Sequence, residues 1–249
     1  MSGHSKWAGI KHKKAVIDAK KGKVFSKIIR EINVACKEGG TDPDKNAKLR
    51  LVMQKAKQCN MPADNIKKAI ERSTKAAESY ETVCYEGYGP GGVAVLFTAQ
   101  TDNRNRTTQE VRKIFSHHGG NLGEIGCVGW MFSRKGYLQV GKVEDEERLM
   151  DLAVSAGADD IKESGDGFEI TTAPESFEKV LNALKEAGIA ALDSGVMNIP
   201  QSQVLLDERQ ASAMLKLMDE LENHDDVVET SANFDIPEEI MEKFAASSE

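Results

Sequence analysis

The hydrophobic residues of this chain keep a helical period up to about Glu78, and strand-like runs then begin between further helices. That change of period is what most restricts the fold. Phe25, Ile28, Ile29, Ile32, Ala35 and Cys36 recur at three- and four-residue steps, which is one face of an amphipathic helix ended by Gly39-Gly40. Asp42-Pro43 predicts an N-cap with Pro at the first helical position. The helix it opens runs to about Cys59, with Leu49, Val52, Met53, Ala56 and Cys59 inward. Asn60-Met61-Pro62 breaks it, and a third helix turns Ile66, Ala69 and Ile70 inward and Lys67, Lys68 and Arg72 outward. Residues 1–78 therefore read as a three-helix domain preceded by an arm.

Tyr80–Tyr88 and Val93–Ala99 read as strands around the turn Gly87-Tyr88-Gly89-Pro90-Gly91-Gly92. Thr107 and Glu110 have capping-box spacing and predict a helix with Val111, Ile114, Phe115 and His118 on one face, stopped by Gly119-Gly120. A strand is expected near Val128–Phe132. From Ser133 a complete βαββαβ pattern follows: strand Gly136–Val140, a helix through Leu149, Leu152, Ala153 and Ala156, and strands Asp160–Lys162 and Phe168–Thr171 about Gly165-Asp166-Gly167. A helix through Phe177, Val180, Leu181 and Leu184, opened by Pro174, and a strand over Ile189–Ile199 close it. This is the ferredoxin-like order. Gln203–Leu206, a helix capped by Asp207 with Gln210 three residues on, and Val227–Thr230 cannot bury a core alone. Joined to Val93–Phe132 they make a second βαββαβ. The expected fold is therefore α+β with three domains: the helical one and two ferredoxin-like α/β sandwiches, one inserted in the other. The boundaries are 1–78, 79–133 with 200–236, and 134–199, with 237–249 a terminal helix and tail.

Charge is divided unequally along this framework. The net charge is −7. Residues 1–75 hold 19 Lys+Arg against 7 Asp+Glu, leaving 14 against 33 for the rest, so +12 stands against −19. Ser2–Ile32 carries Lys6, Lys11, Lys13, Lys14, Lys20, Lys21, Lys23, Lys27 and Arg30 against Asp18 and Glu31 alone. Such clustering points to a polyanion partner for one end of the molecule. Lys and Arg displace counterions condensed on a phosphate backbone, so the binding is strong and salt-sensitive. Trp7, beside His4 and His12, has two readings: stacking on an unpaired base, or a plug that docks the arm. No apolar run approaches the roughly 18 residues of a membrane span, the N-terminus lacks a secretory apolar core, and a cytoplasmic location is expected. Cys36, Cys59, Cys84 and Cys127 form no C-x-x-C, and no disulfide is expected.

Other chemistry finds little support in the residues. Gly87-x-Gly89-x-x-Gly92 matches a dinucleotide fingerprint in letters, but a strand follows it where a helix N-terminus is needed. It reads as a strand–strand turn. His117 and His118 end a helix, where neighbouring side chains diverge, so at most one of them is expected to join a metal site, and no metal, cofactor, catalytic residue or small-molecule substrate is expected. Asp102-Asn103-Arg104-Asn105-Arg106-Thr107 lies at a helix start. Arg104 and Arg106 are candidates for clamping phosphate, or else the segment is a turn tied by Asx hydrogen bonds and an Arg–carboxylate pair. Around Asn60-Met61-Pro62 a helix-turn-helix signal is weak, because only Asn65 is a common base reader.

Gly3-His4-Ser5-Lys6-Trp7-Ala8, Ile10-Lys11-His12, Asp18-Ala19-Lys20, Glu38-Gly39-Gly40, Tyr85-Glu86-Gly87-Tyr88-Gly89-Pro90-Gly91-Gly92, Thr101-Asp102-Asn103-Arg104-Asn105-Arg106-Thr107 and Gly119-Gly120-Asn121-Leu122-Gly123 resemble the YebC family. The resemblance spans essentially the whole chain. Gly9 stands where the family often has Asn, and Lys13 where Arg is common. That family is described as probable transcriptional regulators and includes a mitochondrial translational activator of cytochrome oxidase. The resemblance implies a non-enzymatic cytoplasmic protein of one helical and two α+β domains. DNA, or ribosomal RNA in a translation-factor alternative, is the implied partner. The acidic domains are left for dimerisation or protein contacts.

Overall fold

The computed structural model describes residues 18–73, 80–164, 167–237 and 240, residues 18–21 by their backbone. Three helices come first: α1 (Asp18–Gly39), α2 (Ala47–Gln58) and α3 (Ala63–Ser73). Their apolar faces meet in one core of Ile28, Ile32, Ala35, Leu49, Val52, Ala56, Ile66 and Ala69. These are residues the helical period had placed inward. The start of α2 differs from expectation. Its N-cap is Asn46, whose side chain accepts from Leu49 N, and not Asp42. Asn46 is buried because its amide also donates to Ala35 O and Gly40 O, which ties the connecting loop to α1. Asp42 is left to cap a local turn through Asp44 N.

The chain divides into two compact units, Trp130–Gln203 and the remainder on either side of it. In the larger unit a four-stranded antiparallel sheet runs β3-β1-β2-β9. Its strands are β1 (Glu81–Tyr88), β2 (Ala94–Thr101), β3 (Asn121–Leu122) and β9 (Val227–Ala232). Two helices, α4 (Arg104–His117) and α7 (Glu208–Asn223), pack with the sheet. Phe97, Phe115, Met214, Met218 and Leu221 fill the space enclosed, with Phe97 stacked on both Tyr85 and Phe115. Two short strands, β8 (Val204–Leu205) and β10 (Phe234–Asp235), pair in parallel apart from this sheet.

This sheet is assembled differently from the second βαββαβ expected. β1 takes the place beside β2 and β3 that the 203–206 strand was to fill. The strand expected at Val128–Phe132 is a 3-10 turn over Gly129–Met131 that runs into β4 (Phe132–Gly141). Gly87 allows the β1–β3 pairing: a Cβ there would lie 2.7 Å from Asn121 O and 2.8 Å from the Phe115 ring. Between β1 and β2 stands a 3-10 turn, with Gly91 at φ 75° and Gly92 at φ 77°. Left-handed backbone of this kind favours glycine, so these glycines serve a hairpin turn.

The inserted unit holds β4 (Phe132–Gly141), α5 (Glu146–Ala156), β5 (Ala158–Ser164), β6 (Gly167–Thr172), α6 (Phe177–Glu186) and β7 (Ala191–Pro200). Its antiparallel order is β5-β6-β4-β7, the ferredoxin-like arrangement expected from the sequence. Among the described residues no helix is long and apolar enough to cross a membrane.

Candidate nucleic-acid interface

Of the basic residues singled out by the sequence, Lys6, Trp7, Lys11, His12, Lys13 and Lys14 lie outside the described residues, as do the side chains of Lys20 and Lys21. The cations of α1 dock on the end of α7. Lys27 Nζ donates to Glu222 O at 2.6 Å, Lys23 Nζ to Asn223 O at 3.4 Å, and Arg30 Nη1 to Asp225 O at 2.5 Å. The last carbonyls of a helix lack intrahelical partners and carry its negative pole, so cations are stabilising there. Lys23 also faces Asp225 at 3.6 Å, with both side chains more than half exposed. Sequence reasoning could not see this, because the partners are some 195 to 200 positions away.

Beside this dock lies a groove of about 550 Å³, lined by Lys23, Arg30, Arg106, Lys113, His117 and several carboxylates. Asp226 is its structural centre. Its side chain is 5% exposed and receives Arg106 Nη2 at 2.8 Å and Arg30 Nη1 at 3.1 Å. The Thr107 hydroxyl donates to it at 2.7 Å and lies 2.8 Å from the Thr101 hydroxyl. Burial pushes the Asp226 carboxyl up, but the Arg106 and Thr107 hydrogen bonds and the charges of Arg106 and Arg30 outweigh it and hold the group below the usual carboxylate range. The Asp226 backbone joins in: Gln100 N donates to its carbonyl, and its own N–H donates to His224 Nδ1. His224 Nε2 in turn faces Glu110 at 3.1 Å.

The segment 102–107 is built around these contacts. α4 begins at Arg104 with Asn103 as N-cap, accepting from Arg106 N, four residues before the Thr107 cap expected. Thr107 is buried within the first turn, so its hydroxyl serves the Asp226 hub and not a cap. The Arg106 guanidinium is matched by Asp226 and by Asp102 at 3.0 Å. Arg104 is exposed at the first position of the helix.

A second carboxylate was not singled out by the sequence. Glu86, 6% exposed on β1, accepts from the backbone N–H groups of Gly126, Val128 and Gly129 at 2.7–2.8 Å. Burial pushes its carboxyl up, yet these three amides and the Cys127 thiol bring it below the ordinary value. The loop 123–129 is thus wound on one side chain some 40 residues upstream. Glu86→Gln keeps the shape and replaces one acceptor by a donor facing amide N–H groups. It is expected to lower stability by about 2–3 kcal/mol. A depressed folded pKa gives stability that is complete above the unfolded value, about 4.3, and lost as pH falls through the lower folded one. The wild-type advantage over Glu86→Gln should therefore shrink below about pH 4 in urea unfolding, and an advantage constant down to the acid limb would contradict this role.

The fold defines a class of protein: a basic three-helix domain joined to two four-stranded antiparallel sheets with helices, one inserted in the other. Residues 5–76 match the domain described as TACO1/YebC protein N-terminal domain, and residues 80–234 the TACO1/YebC second and third domain. The chain belongs to the TACO1/YebC family. It is 51% identical over 249 residues to a probable transcriptional regulatory protein of Dictyoglomus thermophilum, covering 98% of this chain and 100% of the relative. A relative of the same description from Endomicrobium trichonymphae is 53% identical, with 99% and 100% covered. The crystal structure of a conserved hypothetical protein from Aquifex aeolicus superposes with a TM-score of 0.80 at 46% identity, covering 90% of this chain and 94% of that one.

Proposed function

We propose that this protein is a non-enzymatic, DNA-binding regulator of transcription acting in the cytoplasm, with residues 2–32 as its principal grip on the phosphate backbone. The observation that carries the reading is the charge of that stretch, nine Lys and Arg against two acidic residues, in a chain whose remainder is acidic. Membership of a family of probable transcriptional regulatory proteins supports DNA as the polyanion. Lys6, Lys11, Lys13, Lys14, Lys20 and Lys21 neutralise phosphates, His12 assists them, and Trp7 stacks or anchors. Lys23, Lys27 and Arg30 hold α1 on the body so that the arm leaves from a fixed place. Exposed Arg104 extends the basic surface, and Arg106, two residues on, is engaged at the Asp226 hub. The acidic domains recruit protein partners.

The test is selection of duplexes from random genomic DNA, followed by anisotropy of the enriched sequence against its scrambled form. Specific affinity at about 0.15 M salt should exceed non-specific by about 10³-fold or more. Equal binding would remove sequence readout. Co-sedimentation with ribosomes that is lost on removing residues 1–22 would instead move the target to ribosomal RNA, the translation-factor reading.

A further inference from the structure

Two clusters of ligand-type side chains flank the groove, and charge separates them. In one, Glu110, His224 and Asp226 each bring a ligand atom within 4.8 Å of the others. Asp226 there already receives two guanidinium groups, and an incoming dication would be repelled by both. In the other, His117, His118 and Glu220 converge to the same limit. Glu220 Oε2 lies 2.6 Å from His118 Nε2 and 3.9 Å from His117 Nδ1. Among the described residues no lysine or arginine pairs with Glu220.

Adjacent histidines inside a helix point about 100° apart, which was the reason to expect at most one of them at a metal. The two rings nevertheless converge on one carboxylate. His117 is the last residue of α4, whereas His118 is its C-cap at φ −98°, ψ 12°, and Gly119 follows at φ 77°. The helix has ended between the two rings. Their centroids lie 5.0 Å apart with planes 32° from parallel, and both face the same carboxylate on α7.

The geometry points to a binding site for a divalent transition metal of the Zn²⁺ class, formed by His117 Nδ1, His118 Nε2 and Glu220 Oε2. Bonds of about 2.0–2.2 Å in a tetrahedron set ligand atoms roughly 3.3–3.6 Å apart. The two separations from Glu220 Oε2, 2.6 and 3.9 Å, bracket that spacing, and all three ligand atoms lie within 4.8 Å of one another. His118, with its side chain 14% exposed, is the fixed member, while His117 at 75% and Glu220 at 46% have room to adjust. Two imidazoles and one carboxylate select Zn²⁺, Co²⁺ or Ni²⁺ over Mg²⁺ and Ca²⁺, which favour all-oxygen shells. Three protein ligands leave a fourth position open to solvent or an anion. The ion would also clamp the end of α4 to α7, so it stabilises the folded chain by an amount that grows with the logarithm of free metal once that exceeds Kd.

The experiment uses the full chain, stripped with chelator and kept reduced, in a His4→Ala, His12→Ala background that removes the two N-terminal imidazoles. Zn²⁺ is titrated by calorimetry and Co²⁺ by visible absorption, with the midpoint of thermal unfolding as a third readout. One equivalent of saturable binding, a tetrahedral Co²⁺ spectrum and a metal-dependent rise in Tm are expected. His117→Ala and Glu220→Gln, both at exposed positions, should each weaken Zn²⁺ binding at least about tenfold with unchanged circular dichroism. Glu110→Gln and His224→Ala should bind as the parent does. Absence of saturable binding, undiminished affinity in His117→Ala and Glu220→Gln, or a loss confined to Glu110→Gln and His224→Ala would each overturn the site.

Discussion

Replacing Lys6, Lys11, Lys13, Lys14, Lys20 and Lys21 together by Gln should reduce duplex affinity at about 0.1 M salt by about 100-fold or more. The folded body should be left unchanged. The magnitude follows from counterion release. Each neutralised phosphate contributes about 0.9 to the slope of log affinity against log salt on duplex DNA, and about 0.7 on single strands. Removing six phosphate-neutralising charges should flatten the duplex slope by roughly 5. Measuring affinity across a salt series reads both quantities at once. If fewer of these lysines reach a phosphate, the change is proportionally smaller, and the slope counts them directly. A Trp7→Ala substitution separates the two readings of that residue. Stacking predicts a loss on single strands of about 1–3 kcal/mol with an unaltered salt slope, whereas a docking plug predicts a loss on every nucleic acid. If the six-Gln protein bound duplex with the parental slope, the arm would not be the grip, and the proposed function would lose its basis.

The second large effect concerns Asp226. Removing one member of a buried ion pair costs about 3–5 kcal/mol, because the other charge is left uncompensated. Asp226 is 5% exposed, but Arg30 is 22% and Arg106 43% exposed, and Arg106 keeps Asp102. Solvent reaches both cations, so Asp226→Ala should cost about 2–4 kcal/mol in urea unfolding. Asp226→Asn, which keeps the shape and one acceptor for Thr107, should cost less. A double-mutant cycle with Arg106→Gln should show coupling of roughly 1–2 kcal/mol, since the two groups share one interaction. The pH dependence carries a definite sign. The Asp226 carboxyl is depressed in the folded protein, so its contribution is complete above the unfolded value near 3.9 and fades as pH falls through the lower folded value. The cost of Asp226→Ala should therefore diminish in strong acid. The hub joins α1 to the start of α4 and to the turn before β9. Its loss should therefore also speed hydrogen exchange in α1, the helix that carries the arm. A stability change below about 1 kcal/mol would show that the three elements are held by packing alone.

The three N-terminal helices and their inward faces were legible because a helix that buries one side must repeat its apolar residues at three and four steps. Ile28, Ile32, Leu49, Val52, Ala56, Ile66 and Ala69 obey that rule, and all are buried. The Asp207–Gln210 capping box was equally legible, since both partners lie within one turn. The starts of α2 and α4 were misplaced for a shared reason. Asp42-Pro43 and Thr107–Glu110 carry sound local signals, but Asn46 and Thr107 are recruited by groups outside their own helical turn. Asn46 bonds back to Ala35 and Gly40, and Thr107 is drawn to Asp226, 119 positions on. The place of β1 in the sheet was illegible too, because a two-residue β3 gives no periodic signal.

By itself the sequence determined the helical and strand-bearing regions, the βαββαβ order of the inserted unit and the concentration of positive charge in the first 32 residues. These are properties of period and composition, carried by residues close together in the chain. Only the tertiary structure decided which carboxylate each cation meets. It matched Arg30 and Arg106 to Asp226, wound residues 123–129 on Glu86, and turned His117 and His118 toward Glu220. A buried charge needs a partner within hydrogen-bond distance, and for most of these groups that partner lies about 40 to 200 residues away, where spacing in sequence carries no information about separation in space.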